Sequence, residues 1–482
     1  MSNRLHRFCF RTVTLLLACV LLLCMFSACS GTKKPEADPT DTTYDTSTGL
    51  AYLVSLVGAP DDSAEIQSVY FVNLENDLVL HQKQADTPQF PAASVKIMTG
   101  LIACRQLEGR LDETVTITAA MLAGASGRQM KSPLQVGEIV TVRDLLYATI
   151  CGSYNDAATV LACYTSGSVS DFVEDMNAEA ERIGAVNTHY TNPTGLHDAA
   201  MVTTAYDTAK ITRAALDIPL YQAICAAHSY DMPATNLSPA RSYGNRNDLL
   251  DNTYQNQYYA PNCYGVSAGY TDEGGGCVVG LWKSGGASNL CVLMGSRDAN
   301  GTADDAPAYN YARDLFNWAR DQFSYRAVIP EDYVFDEVKV ALTGTSKSRT
   351  ELTAAKGLSL YLPRRLDVEQ LSVTYRLHDG SLSAPLTAGH EVGVAVVSLT
   401  GQNTSDTVLG TVPVTVKEAY AINPFLRGMS AFRRYLTSRA FVAAVICFTI
   451  LLLVYLKWTS TPGGRYGLRS ARRRRRLSRR RR

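Results

Sequence analysis

Charge of one sign is missing from both ends of this chain. No Asp or Glu occurs from Lys457 to Arg482, where twelve basic residues stand, and none accompanies Arg4, Arg7 and Arg11 at the start. Setting those fifteen aside leaves 31 basic against 45 acidic residues, so the formal net charge of +1 hides a body with about 14 excess negative charges. An acidic body excludes the positive surface that tracks a phosphate backbone, and nucleic acid is not an expected partner. Closely spaced cysteines are lacking too. Cys104, Cys151, Cys163, Cys225, Cys263, Cys277 and Cys291 form an odd set with no tight pair among them, which implies neither a disulfide framework nor a zinc site. No metal and no other cofactor is called for. Internal repeats are absent, and 482 residues with 46% hydrophobic and 19% charged side chains suffice for two or three ordinary globular domains.

The two ends read as targeting and anchoring segments. Residues 1–29 combine an Arg-bearing start with an apolar run from Val13 to Phe26, the pattern of a secretory signal. Phe26-Ser27-Ala28-Cys29 has the form of a lipobox, with Cys29 as the residue to be lipidated. Residues 30–49, rich in Thr, Asp, Lys and Pro, read as a linker. At the other end, 440–456 carries no charge and spans about 26 Å at helical rise, which predicts a transmembrane helix. Residues 422–439 mix Phe, Leu and Tyr with Arg, as in a helix lying at a membrane surface. The basic run at 457–482 places the tail in the cytoplasm and the bulk outside.

Between these ends the periodicity changes once. From 50 to 325, strand-like runs such as Ser68 to Val72 alternate with helical stretches such as Lys96–Leu107 and Val169–Ile183, which predicts an α+β domain with helices covering an antiparallel sheet. From 326 to 421 strict alternation takes over. Leu371-Val373-Tyr375-Leu377, Val392-Val394-Val396 and Val412-Val414-Val416 each place apolar residues on one face, with Asp379-Gly380 expected as a hairpin turn, and a small all-β sandwich follows.

Four motifs lie in order along the first domain. Pro91-Ala92-Ala93-Ser94-Val95-Lys96-Ile97-Met98-Thr99 comes first, and Ser153-Tyr154-Asn155 follows. Asn187-Thr188-His189, Asn192-Pro193, Gly195-Leu196-His197-Asp198 and Thr203-Thr204-Ala205-Tyr206-Asp207 form a third group. Gly265 to Glu273, with Ser267-Ala268-Gly269 before Tyr270-Thr271, closes the series. Taken singly, each has a bland reading: Ser-x-Asn is commonly a helix N-cap, a helical lysine a solvated charge, and a strand glycine a bulge. Taken in order, they resemble the motifs of the D-alanyl-D-alanine carboxypeptidases, the low-molecular-mass penicillin-binding proteins of the serine β-lactamase-like superfamily. The resemblance implies a transpeptidase-like α+β domain followed by the β domain. It also implies peptidoglycan stem peptides as the ligand, Lys96, Ser153 and Asn155 as the motif residues, and Ser267, Ala268 and Gly269 as the strand that holds the substrate carboxylate.

Two of those motifs are broken. In the intact S-x-x-K motif the serine stands three residues before the lysine on a shared helix face, where the amine activates it. Three residues before Lys96 is Ala93. Ser94 is two before it, roughly 200° around the helix. The third motif, Lys-Thr-Gly in the family, reads Ser-Ala-Gly and lacks its cation. The reading drawn is a pseudoenzyme of the cell envelope that binds peptidoglycan or regulates other wall enzymes. Two alternatives stand: a live carboxypeptidase or esterase using Ser153 or Cys151, and a structural scaffold. His197 and Asp198 are assigned to the rim or the framework of the site.

Overall fold

The computed structural model describes residues 47–58, 60–61, 63–123, 134–253, 256–344, 349–399 and 408–460. The signal region with Cys29, the linker up to 46 and the tail beyond 460 lie outside them. The expected linker ends early, because a helix, α1, occupies Ser47–Ser55.

The first domain is built on five strands: β1 Ser68–Asn73, β2 Val79–Lys83, β3 Cys263–Thr271, β4 Gly275–Ser284 and β5 Ala287–Ser296. They pair antiparallel in the order β2-β1-β5-β4-β3. Both faces of the centre are covered, so all six residues of β1 are buried, and such strands read as near-continuous apolar runs. Tyr70, Val72, Val292 and Met294 face one apolar cluster, while Val69, Phe71, Cys291 and Leu293 face another, as the two-residue side-chain period requires.

The first cluster holds the helices α2 Val95–Gln106, α3 Val142–Ile150, α4 Asn155–Ser166, α5 Val169–Ile183 and α6 Ala205–Leu216. Side-chain caps fix three of their starts. Thr141, Ser168 and Thr204 accept from the backbone N–H groups of Asp144, Asp171 and Asp207, each worth about 1 kcal/mol. Thr204 and Asp207 belong to a motif singled out above: Thr204 caps the helix, and the buried Asp207 carboxylate accepts from the Asn187 N–H at 2.7 Å and the Thr188 hydroxyl at 3.2 Å. Helix α2 is central and buried from Val95 to Cys104, so Lys96 is held inside the domain.

Helix α7, Ala306–Gln322, lies on the second face and runs directly into the β domain. That domain has β6 Phe323–Ile329, β7 Val334–Ala341, β8 Arg349–Ala354, β9 Leu358–Pro363, β10 Leu371–Leu377, β11 Leu382–Ser383, β12 Glu391–Leu399 and β13 Val408–Val416. Six strands follow the order β10-β12-β13-β8-β7-β11, and β6 pairs β9 beside them. Asp379-Gly380 turns the chain with Gly380 at φ 64°, but it does not make the expected hairpin. β10 pairs β12, while the two-residue β11 runs parallel to β7. Turn chemistry sets a local reversal and leaves the pairing to the long apolar strand β12.

One apolar cluster runs from Phe71 and Phe316 through the fully buried Leu53 of α1 to Leu352 and Val412 of the β domain. Burying a side chain such as Leu53 contributes about 1.5–3 kcal/mol, so α1 helps hold the two domains together. Beyond the β domain come α8 Pro424–Thr437 and α9 Arg439–Ser460. No single helix among the described residues is long and apolar enough to cross a membrane. Pro424–Thr437 and Phe441–Lys457, bent by 52°, reach that length and composition only together.

Candidate functional site

The chain at Ala92–Ser94 makes one tight 3-10 turn and then enters α2. This puts Ala93 and Lys96 on one wall of a cleft of about 190 Å3. Ser94 turns away, with its hydroxyl donating to the Pro91 carbonyl at 2.7 Å, as the helix offset requires. A second wall carries Ser153 and Asn155, between α3 and α4. Neither side chain caps α4: its N-cap is Tyr154, with no side-chain cap bond. The bland reading of that motif therefore fails, and both residues are instead buried against the cleft.

The loop Thr194–Leu196 closes a third side. Asn192 braces it by accepting from the N–H groups of Thr194 at 3.1 Å and Gly195 at 2.9 Å and donating to the Leu196 carbonyl at 3.0 Å. Gly195 has φ +83°, and a Cβ there would lie 1.9 Å from the Ala92 carbonyl oxygen, so only glycine permits this approach. The fourth wall is β3, from Ala268 to Thr271. Gly269 has φ +151°, and its Cβ would meet that of Ala93 at 2.8 Å. Ser267 does not line the cleft, and its hydroxyl donates to the Ala93 carbonyl at 3.3 Å.

Two non-glycine residues in this small region sit in the left-handed backbone region, Ala92 at φ 46° and Ser153 at φ 58°. Each such conformation costs on the order of 1–3 kcal/mol, and strain of this kind gathers at functional sites. Lys96, 5% exposed, donates to the Thr194 carbonyl at 2.6 Å. Burial lowers its amine from the usual lysine range to about 7, because the charged form is poorly solvated there.

Arg246 also lines the cleft, and sequence reasoning missed it. Its guanidinium is paired with Asp305 at 2.7 Å, and its backbone N–H donates to the Cys151 carbonyl at 2.9 Å. The available signal was its flanking asparagines. Asn245 donates to the Ala227 carbonyl at 2.7 Å and Asn247 to that of Val279 at 3.0 Å, holding the arginine between them.

One nucleophile candidate falls away on geometry. Cys151 does not line the cleft; its thiol faces the Ala227 carbonyl at 3.6 Å, and burial pushes it up to about 12, far from the thiolate a nucleophile needs. His197 stands edge-on to Phe90 at 4.6 Å, and Asp198 accepts from the Ala200 N–H at 2.8 Å; neither lines the cleft. Among the described residues no group of three His, Cys, Asp or Glu could hold a metal.

A helix-covered five-stranded antiparallel sheet, with the motifs meeting at the start of a buried helix, defines the transpeptidase-like α+β class with a β domain behind it. Within that class the chain belongs to the D-alanyl-D-alanine carboxypeptidase family, whose family model matches residues 56–298. The C-terminal domain of penicillin-binding protein 5 matches 323–421. The D-alanyl-D-alanine carboxypeptidase DacF of Bacillus subtilis is 28% identical over 73% of this chain and 85% of its own. DacB2 of Mycobacterium tuberculosis is 30% identical over 54% and 84%. Among solved structures, penicillin binding protein 5 from Haemophilus influenzae superposes with a TM-score of 0.59 at 24% identity, over 76% of this chain and all of that one, a likeness of fold.

Proposed function

We propose that this protein is an envelope pseudoenzyme that binds the ends of peptidoglycan stem peptides without hydrolysing them. One observation carries the reading: at the position where the family's motif has its nucleophile, Ala93 presents a methyl group to a cleft whose Lys96, Ser153 and Asn155 remain in place. A methyl group cannot attack a carbonyl, so the acyl-enzyme step has no first bond to make. The retained strain at Ala92 and Ser153 supports a kept cleft over a mere scaffold.

Affinity for a terminal carboxylate is reduced as well. The third motif contributes no cation, and Arg246 is already engaged with Asp305. Losing one charge-assisted hydrogen bond costs about 1.5–3 kcal/mol, or about one to two orders of magnitude in affinity. The cleft thus suits an uncharged peptide end as well as a free D-alanyl carboxylate.

The domain layout proposed is a catalytic-type domain at 50–325, a β domain at 326–421 and a membrane-associated end. Helix α8 exposes Phe425 by 73% and Phe432 by 63%, with Met429 and Tyr435 also exposed, and carries Arg427, Arg433 and Arg434, a composition suited to an anionic membrane surface. Helix α9 then enters the bilayer, and the arginine tail stays in the cytoplasm, each basic residue adding about 1 kcal/mol of attraction to anionic lipid.

Calorimetric titration of the protein with a stem peptide ending in D-Ala-D-Ala, followed by analysis for free D-alanine, tests the binding claim. Saturable binding without release is expected. Release of D-alanine at a catalytic rate would overturn it.

A further inference from the structure

In the family the motif lysine serves a hydroxyl three residues before it, and here that hydroxyl is gone. The amine remains, on the wall of an open cleft, 5% exposed and oriented by the Thr194 carbonyl at 2.6 Å. None of the elements packed against it brings a carboxylate to the cleft. Ser153 and Asn155, the Thr194–Leu196 loop and the Ala268–Thr271 stretch are uncharged, and the other charged side chain on its walls, Arg246, is neutralised by Asp305. A primary amine placed so is a nucleophile without an assigned task.

We propose that Lys96 is a covalent capture site for small aldehydes, forming an imine with a carbonyl compound of a few heavy atoms that enters the cleft beside Ala93. The nitrogen lone pair forms a C–N bond to the carbonyl carbon while the π electrons move to oxygen, which takes a proton from the nitrogen. The carbinolamine then loses its oxygen as water, using the second amine proton, and a C=N bond is left. Amine and aldehyde give imine and water, with no oxidant or reductant. The methyl of Ala93 matters here because a serine hydroxyl would compete for both the amine and the space. The idea therefore rests on the pseudoenzyme reading, but its test reads a different residue from a penicillin label.

Burial supports the chemistry. With its amine lowered to about 7, Lys96 is neutral about half the time at that pH, whereas an exposed lysine is neutral roughly once in 2500. Activation of a lysine amine by desolvation is an established route to imine formation.

The full chain in detergent is treated at pH 7 with acetaldehyde and cyanoborohydride, which fixes each imine as an ethylamine, and the sites are mapped by mass spectrometry after digestion. Lys96 is expected to label at least about tenfold faster than the exposed Lys339 and Lys356, and its rate should level off above about pH 8 while theirs still climb. Labelling of Lys96 at pH 7 no faster than of those two would overturn the proposal. So would a Lys96 rate that rises in parallel with theirs up to pH 10.

Discussion

Gly269 of β3 presses against Ala93, so closely that a Cβ at 269 would stand 2.8 Å from the alanine methyl. The strand that should hold a substrate carboxylate and the turn that should carry the nucleophile are thus still packed as partners, although each has lost the side chain that gave the partnership its chemistry.

Restoring those side chains tests whether only they were lost. Ala93→Ser with Ser267→Lys and Ala268→Thr is expected to regain acylation by a labelled penicillin, read as an intact-mass shift. A well-folded triple variant that stays unlabelled would show that the cleft itself has changed shape.

The glycine contacts predict a ranking in stability. Gly195→Ala puts a methyl 1.9 Å from the Ala92 carbonyl oxygen, a backbone atom, whereas Gly269→Ala meets a methyl at 2.8 Å. Both also strain a positive φ. Overpacking of this kind costs about 1–3 kcal/mol and more where backbone must move. Thermal unfolding should therefore show a larger loss for Gly195→Ala than for Gly269→Ala, and equal or reversed losses would count against the packing described.

Lys96 predicts a pH dependence. Its amine is lowered by burial to about 7 in the folded chain and returns to about 10.4 when unfolded. Between those values the unfolded state binds more protons, so this group's contribution to stability rises with pH across the window and is at its worst below it. Lys96→Met removes the term. Its stability relative to the parent should be highest near pH 7 and fall by several kcal/mol towards pH 10, measured by denaturant titration. A difference independent of pH would mean the amine stays charged.

Arg246 and Asp305 decide how the cleft treats a carboxylate. With the ion pair at 2.7 Å intact, stem peptides ending in carboxylate and in amide should bind within about tenfold of each other. Asp305→Asn frees the guanidinium and should shift the preference towards carboxylate by about one order of magnitude. A strong carboxylate preference in the parent would show that Arg246 already acts as the clamp.

Much of this was legible in the chain. The helical stretches Lys96–Leu107 and Val169–Ile183 and the strand-rich β domain follow from hydrophobic patterning, though the core face of β12 is Ala395, Val397 and Leu399 instead of Val394 and Val396, and the ordered motifs give the family. The walls of the cleft were less legible. Arg246 carries no spacing signal to Lys96 because the two meet only through tertiary packing, and the αL backbone of Ala92 and Ser153 is imposed by their surroundings, since neither residue type favours it. The pairing of β10 with β12 was hidden for the same reason: strand partners are chosen by burial over a distance that turn residues do not report.

The C-terminal end predicts a topology. Protease added to intact protoplasts should remove everything before α9 and spare the tail holding Arg472 to Arg476. Digestion of the tail together with the ectodomain would reverse the orientation proposed.

The central claim is that Ala93 leaves the cleft without a nucleophile, and intact-protein mass spectrometry after exposure to a labelled penicillin tests it most directly. The account predicts an unchanged mass at saturating drug. A stoichiometric penicilloyl adduct on any residue of the cleft, Ser153 above all, would contradict it.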